Sequence, residues 1–316
     1  MPGAVEGVEQ TRFPVGVSVR AITAFEPRNP DRRRFGALQF RSGLVLSSGH
    51  PRFGGFSGLA RLNDGRDLVA VSDRGYWLTA RITSQAGKLA GLDDAEMAAI
   101  LGASGRPLSR SGLYDTESLC IADGVAYVGI ERRHEIVRFD WAGQGVEARA
   151  RSVPVPPEVK RLPRNRGLEA IGVVPYGPLK GALVAIAERS GKEDEPTLGV
   201  LLGGPQPGLF QVARHDGYDI TDLAFLPSGD MLLLERWYQP LRGVGMRIRR
   251  IAGRDIRPGA LLDDPRLIEA DLGYEIDNME GLSVHLESGR TVLTLISDDN
   301  FSFLQRTLLL EFELLP

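Results

Sequence analysis

A weak internal repeat constrains this chain more than any other feature of its sequence. Five segments share one pattern: 56–75 (FSGLARLNDGRDLVAVSDRG), 116–133, 168–190, 220–237 and 279–300. Each opens with a polar residue, a small or polar one, then Leu or Ile. A short apolar run follows, then a turn with glycine, then a second apolar run that ends in a carboxylate. The opening polar position reads Ser57, Glu117, Glu169, Thr221 and Glu280, at spacings of 60, 52, 52 and 59 residues. The closing position reads Asp73, Glu131, Glu188, Glu235 and Asp298.

Each unit reads as a β-hairpin. Asp64-Gly65, Asp123-Gly124, Ser228-Gly229 and Ser288-Gly289 are turn dipeptides between β-rich runs. Further strands are expected at 135–139, 246–251 and 307–312. Three or four strands per ~55 residues, repeated, is the pattern of propeller blades. The reading is therefore an all-β protein, a β-propeller that forms a single domain over 1–316. Six blades are preferred, with five as the alternative. Closure is expected from N-terminal strands around 15–25 and 36–47 meeting C-terminal ones. The Pro-rich stretch 153–164 reads as a loop between blades. One helix is expected, over 93–101 (DDAEMAAIL), capped by Asp93 or Asp94 and inserted in the first blade.

Hairpin geometry places the start of an innermost strand and the end of the next strand at one face. The opening and closing residues should then gather around one mouth of a central channel. So many carboxylates repel one another unless they take up protons, pair with arginine or bind a hard cation. Arginine follows the closing acid at Arg74, Arg132, Arg189 and Arg236, whereas Ser118, Ala170 and Gly281 follow Glu117, Glu169 and Glu280. Glu117, Glu169 and Glu280, helped by Asp298, are accordingly the expected ligands of a divalent metal. Ca²⁺, which takes six to eight oxygen ligands, suits them best. Glu188-Arg189 and Glu235-Arg236 read instead as structural ion-pair formers.

Such a site points to hydrolysis of a phosphate ester, a phosphodiester or a related ester. Glu131, Asp73 and His50 are the candidate acid–base residues, and Arg74, Arg132 and Arg133 the candidate holders of an anionic substrate. The alternative is a non-catalytic propeller that binds a ligand or partner, with any ion structural. Ser57 in Gly55-Phe56-Ser57-Gly58 is a poor nucleophile candidate, because a nucleophile elbow needs glycine where Leu59 stands.

These motifs resemble the phytase-like family, described by an esterase-like activity of phytase. The resembling pieces are FGGFSGL with VAVSDRG, DTESL with VGIERR, NRGLEAI, DITDLAFLPSGDMLLLER, and NMEGLSV with ISDDNF, in order along nearly the whole chain. The resemblance implies a repeated β domain of bacterial, often exported, proteins, with recurrent Asp and Glu serving hydrolytic or phosphodiesterase chemistry.

Composition narrows the partners. Net charge is −3, from 38 basic and 41 acidic residues, which disfavours a generally basic nucleic-acid binder. Only four basic residues are lysine. The lone cysteine, Cys120, excludes an internal disulfide and a cysteine zinc site. No apolar run approaches a membrane span, and 1–10 reads as no signal peptide. The expectation is a monomer acting on a small anionic molecule. It would be periplasmic or exported if a signal peptide has been removed, and cytoplasmic otherwise.

Overall fold

A computed structural model describes residues 11–111, 114–164, 166–192, 195–239 and 243–316. Residues 1–10 and Asn165, on which two of the readings above touch, lie outside the described residues.

Five antiparallel hairpin units form five sheets among the described residues, in a β-propeller arrangement. We call them blades I to V. Their innermost strands are Phe56–Leu62, Thr116–Ala122, Leu168–Val173, Asp219–Phe225 and Asn278–Glu287. Each pairs with the strand after it: Asp67–Ser72, Val125–Ile130, Leu183–Ala187, Met231–Gln239 and Arg290–Asp298. The inner strands contact one another in sequence, and that of blade V also contacts that of blade I. The turn dipeptides act as read. Asp123-Gly124 and Ser288-Gly289 both have positive φ at their two residues, which matches the right-handed twist of the flanking strands.

The preferred count of six is corrected to five, because the N-terminal strands build no sheet of their own. Arg12–Pro14 adds to the outer edge of blade I against Lys88–Ala99. Ser18–Ile22 and Leu38–Ser47 extend blade V, where Leu38–Ser47 pairs with the C-terminal strand Thr307–Leu314.

The helix expected over 93–101 is also corrected. Residues 93–99 instead continue the strand Lys88–Ala99 of blade I, and 100 and 101 follow it. Their composition favours helix, but Ala95, Met97 and Ala99 alternate inward at strand period and join the core with Phe13, Tyr76 and Leu78. Tertiary packing overrides propensity here. Asp94, with φ 52°, sits where the register with the neighbouring strand Tyr76–Gln85 slips between Thr79 and Arg81, and it pairs with Arg81. The only α-helix among the described residues is the single turn Trp141–Gln144, capped by the Asp140 side chain accepting from the Gly143 N–H. No helix among the described residues is long and apolar enough to cross a membrane.

Apolar clusters fill the spaces between blades, for example Trp77, Leu119, Val128 and Phe139 between blades I and II. Polar staples cross the same gaps. Buried Asp222 in blade IV accepts hydrogen bonds from its own Leu223 N–H at 2.8 Å and from Leu282 N–H of blade V at 2.7 Å. Arg189 of blade III donates to Asp219 of blade IV, as expected of an interlocking arginine. Glu235 is fully buried and held within its own blade by Arg247 and Arg249.

Candidate functional site

Every inner strand carries a β-bulge at the same place. Pairing skips one residue between Phe56 and Gly58, between Thr116 and Ser118, between Leu168 and Ala170, between Ile220 and Asp222, and between Met279 and Gly281. The skipped residues are Ser57, Glu117, Glu169, Thr221 and Glu280, the repeat's opening position. A bulge frees one residue from the ladder and re-aims its side chain. This explains how a residue inside an otherwise buried strand reaches the channel mouth.

The same pairings define the closing position. Phe56, Thr116, Leu168, Ile220 and Met279 lie opposite Ser72, Ile130, Ala187, Glu235 and Ser297. The next residue in each case is Asp73, Glu131, Glu188, Arg236 or Asp298. Blade IV thus presents Arg236, not Glu235, to the mouth, and the repeat alignment is off by one there.

These residues enclose a polar cleft of about 310 Å³. Its walls are Asp73, Asp115, Glu117, Glu131, Glu169, Glu188, Glu280 and Asp298, with Arg132, Arg236 and Asn300. Eight carboxylates therefore face two guanidiniums. The two hydroxyl members of the bulge series turn aside. Ser57 Oγ donates to the Thr116 carbonyl of blade II, and Thr221 Oγ1 donates to the Met279 carbonyl of blade V at 3.1 Å. Ser57 is 1% exposed, so its hydroxyl is a link between blades.

The backbone around the mouth is tied in series. Asp73 N–H donates to the Gly55 carbonyl, Asp115 N–H to the Asp73 carbonyl, and Glu131 N–H to the Asp115 carbonyl, at 2.7 to 3.0 Å. Gly55 has φ 63°, and a Cβ there would lie 2.4 Å from both the Asp73 carboxylate and the Phe301 ring. Glycine at this position of the FGGF segment is what lets these two side chains close over the turn.

Charge compensation is uneven. Arg236 lies 3.2 Å from Glu280, which also accepts from Asn278 Nδ2 at 2.7 Å. Asp298 accepts from the Asn300 N–H at 2.7 Å. Arg132 donates to Asp115 at 2.6 Å, and Glu131 accepts from the Gly167 N–H at 3.3 Å. Among the described residues, neither the Glu117 nor the Glu169 carboxylate has a hydrogen-bond or ion-pair partner. Burial, followed by the neighbouring acids Glu280 and Asp115 for Glu117 and Glu188 and Glu117 for Glu169, pushes both well above the usual carboxylate range. Burial likewise raises Asp73 to about 6, Glu131 to about 7 and, with Glu280 adding to it, Asp298 to about 8. Burial works against the charge on Arg236, but Glu280, Glu169 and Glu188 outweigh it and hold the guanidinium protonated.

Two groups of three carboxylates have one oxygen each within 4.8 Å of the others: Asp115, Glu117 and Glu131, and Glu131, Glu169 and Glu188. Either could hold a metal ion. They share Glu131 and belong to blades II and III. Glu280 and Asp298 line the same cleft but belong to neither group. Of the expected substrate-holding arginines, only Arg132 lines the cleft. Arg74 lies over the Phe301 ring at 3.3 Å, and Arg133 is exposed. His50 stacks on Phe13 at 4.4 Å and accepts from the Arg52 N–H, and it does not line the cleft. Sequence reasoning missed Asp115 and Arg236 as lining residues. Asp115 has φ 56° and immediately precedes its strand, which leaves it no place in the repeat.

The sequence pattern of the family described as "Phytase-like: Esterase-like activity of phytase" matches residues 51–301. The chain belongs to the phytase-like family. No curated protein matches this phytase-like chain significantly. Among solved structures it is similar to the PQQ-bound aldose sugar dehydrogenase of Streptomyces coelicolor, with 13% identity, 95% of this chain and 99% of that chain covered, and a TM-score of 0.44. Another is the glutaminyl cyclase of Myxococcus xanthus, with 11% identity, 88% and 97% covered, and 0.44. A third is XC5397 of Xanthomonas campestris, titled a gluconolactonase, with 16% identity, 87% and 80% covered, and 0.41.

Proposed function

We propose that this phytase-like propeller is a metal-assisted hydrolase of a phosphate ester, phosphodiester or related anionic ester, working at the acidic mouth. The observation that carries this reading is the pair of carboxylate groups sharing Glu131. The donors are hard oxygens without sulfur or imidazole, which fits Ca²⁺ or a similar divalent cation. Glu131 would hold it, either with Asp115 and Glu117 or with Glu169 and Glu188. Such a cation supplies polarisation of the ester oxygen and a more acidic water at neutral pH.

The chain's own residues do the rest. Asp73, on the blade I side of the cleft, is the general base: raised to about 6, it is ionised at neutral pH yet basic enough to take a proton from water. Water attacks phosphorus or the carbonyl carbon, the ester bond to the alcohol breaks, and the proton held on Asp73 returns to the departing alkoxide. Arg132 and Arg236 offset the anionic charge that the substrate brings to a wall of carboxylates. Those of the eight acids that stay ionised would repel such a substrate without a cation, so activity and metal binding stand together.

The test is thermal melting with EDTA, then with excess Ca²⁺, Mg²⁺ or Mn²⁺, alongside turnover of phosphomono-, phosphodi- and carboxyl-esters. At a hundredfold excess over its dissociation constant, an ion bound only to the native state adds ~2.7 kcal/mol. The native protein should gain stability and turnover with one of the metals, and Glu131→Gln, at the residue both groups share, should lose most of both. Stabilisation without turnover of any ester would support the non-catalytic reading. Melting unaffected by chelator and by every metal would remove the metal site.

A further inference from the structure

Four large apolar side chains exposed to solvent belong to blades IV and V and the connection between them. They are Phe303 at 96% exposure, Leu304 at 78%, Tyr238 at 63% and Leu272 at 61%. Their positions relative to the cleft follow from the chain. Arg236 and Tyr238 are two apart on an uninterrupted strand, Met231–Gln239, so both side chains leave the same face, with Tyr238 about 7 Å further out. Leu272 lies against the next strand of that hairpin: a Cβ on Gly243 would be 2.2 Å from Leu272 Cδ1. Gly243 is paired with Gln239, the neighbour of Tyr238. Phe303 follows cleft-lining Asn300 by three residues, within roughly 10 Å along the chain.

The loop that carries Phe303 and Leu304 is held in place. Asp299 accepts from the Gly55 and Phe301 N–H groups at 3.0 Å and from Thr307 Oγ1 at 3.0 Å. Arg306 donates to Glu275 at 2.7 Å and to the Ile276 carbonyl at 3.0 Å, and Asp277 accepts from the Arg306 N–H at 3.1 Å. The loop is thereby fixed to the blade IV–V connection, residues 271–277, which carries Leu272. An anchored loop with its two apolar side chains left in water is a costly arrangement unless something covers them.

Resting on the hydrolase reading above, we infer that this rim receives the apolar part of the substrate, so that the ester is amphiphilic. The charged ester group lies over the carboxylates of blades II and III. An alkyl or aryl chain extends across the mouth onto Tyr238, Leu272, Phe303 and Leu304 of blades IV and V. The occupant is argued from continuity: Arg236 and Asn300 belong to the cleft wall, and the rim begins two and three residues beyond them.

The probes are methyl ethyl phosphate and methyl octyl phosphate, two phosphodiester monoanions that differ only in chain length. They are titrated below micellar concentration with excess Ca²⁺, reading dissociation constants, or KM where a diester turns over. The octyl ester should bind roughly tenfold tighter or more, since each covered methylene contributes a fixed increment. The double substitution Phe303→Ser with Leu304→Ser, on largely solvated positions, should bring the octyl-to-ethyl ratio close to one, and Tyr238→Ser should reduce it. Equal affinities in the native protein, or a ratio that survives the double substitution, would overturn the inference. So would flotation with phosphatidylcholine vesicles, or a dimer that the double substitution dissociates, in the absence of chain-length preference. Failure of every ester to turn over would count against the hydrolase reading alone, because the affinity ratio is read without turnover. Loss of the ratio with short esters still hydrolysed would count against the rim alone.

Discussion

Replacing Asp298 by asparagine should stabilise the metal-free protein at alkaline pH and leave it unchanged in acid. Asp298 is buried, and its carboxyl is raised from 3.8 to about 8, by burial first and by Glu280 next. The sign follows from linkage. Below about pH 4 the carboxyl is protonated in both folded and unfolded chains, and it neither favours nor opposes folding. Between about pH 4 and 8 the unfolded chain ionises while the folded one keeps its proton, so stability falls as pH rises. Above about 8 the loss is complete. A shift of this size corresponds to a loss on the order of 5 kcal/mol, at about 1.4 kcal/mol per pKa unit. Asparagine is neutral at every pH, and its side-chain oxygen can still accept from the Asn300 N–H that now bonds Asp298. At pH 8.5 in EDTA the variant should therefore melt higher than the native protein, by roughly 10 °C at the few degrees per kcal/mol typical of large domains. At pH 4 the two should melt together. The assay is a set of melts by circular dichroism from pH 4 to 9. Parallel pH profiles, or a variant that melts lower at pH 8.5, would refute the claim that this carboxylate is crowded in the folded state.

Arg236→Met should destabilise the metal-free protein at pH 8 by about 3 kcal/mol, the cost of stripping a buried ion pair of one partner. The loss should shrink in acid as the carboxylates facing Arg236 take up protons, which denaturant titrations at pH 8 and at acid pH would show. Ser57→Ala should cost about 1 kcal/mol for the lost inter-blade hydrogen bond and leave ester turnover within about twofold of native; abolished turnover with an intact fold would restore Ser57 as a nucleophile. Native kcat/KM should rise with pH through about 6 as Asp73 loses its proton. Asp73→Asn should lower kcat/KM at neutral pH on the order of a hundredfold and remove that limb, as a pH–rate profile would reveal.

The hairpins were legible because their signals are local. A turn dipeptide with both residues at positive φ, as in Asp123-Gly124, needs no information from elsewhere in the chain. The features missed depend on distant partners. Residues 93–99 have a helix-forming composition, and they become strand only because Tyr76–Gln85 offers an edge and Phe13 a surface to pack on. The number of blades turned on where the N-terminal strands dock, which their own residues do not specify. Blade IV was displaced by one position because Glu235-Arg236 looks like Glu131-Arg132 and Glu188-Arg189. A signal was present: Arg247 and Arg249, two apart on the neighbouring strand, both reach Glu235. An R-x-R pair opposite an acid marks that acid as facing into the blade.

The departures from symmetry say more about function than the repeat does. Five equivalent glutamates at the bulges would give a ring with no preferred side. Instead blade I carries Ser57 and blade IV carries Thr221, and both hydroxyls bind neighbouring backbone. Blade IV further exchanges the closing acid for Arg236, which lies beside Glu280 and so engages the acid of blade V. Among the described residues the cleft acids left without a hydrogen-bond or ion-pair partner, Glu117, Glu169 and Glu188, are in blades II and III, where both oxygen clusters occur. The exposed side chains Tyr238, Leu272, Phe303 and Leu304 belong instead to blade IV, blade V and their connection. A mouth divided in this way has a direction across it. One half can take up a cation and the charged part of a ligand, while the other offers arginine and hydrocarbon. Exchanging residues between the halves tests that division directly. Thr221→Glu would place a fourth glutamate next to the arginine, where it should draw Arg236 from Glu280 and weaken the affinity for octyl over ethyl esters less than it alters the metal response. An equal effect on both would mean that the two halves act as one site.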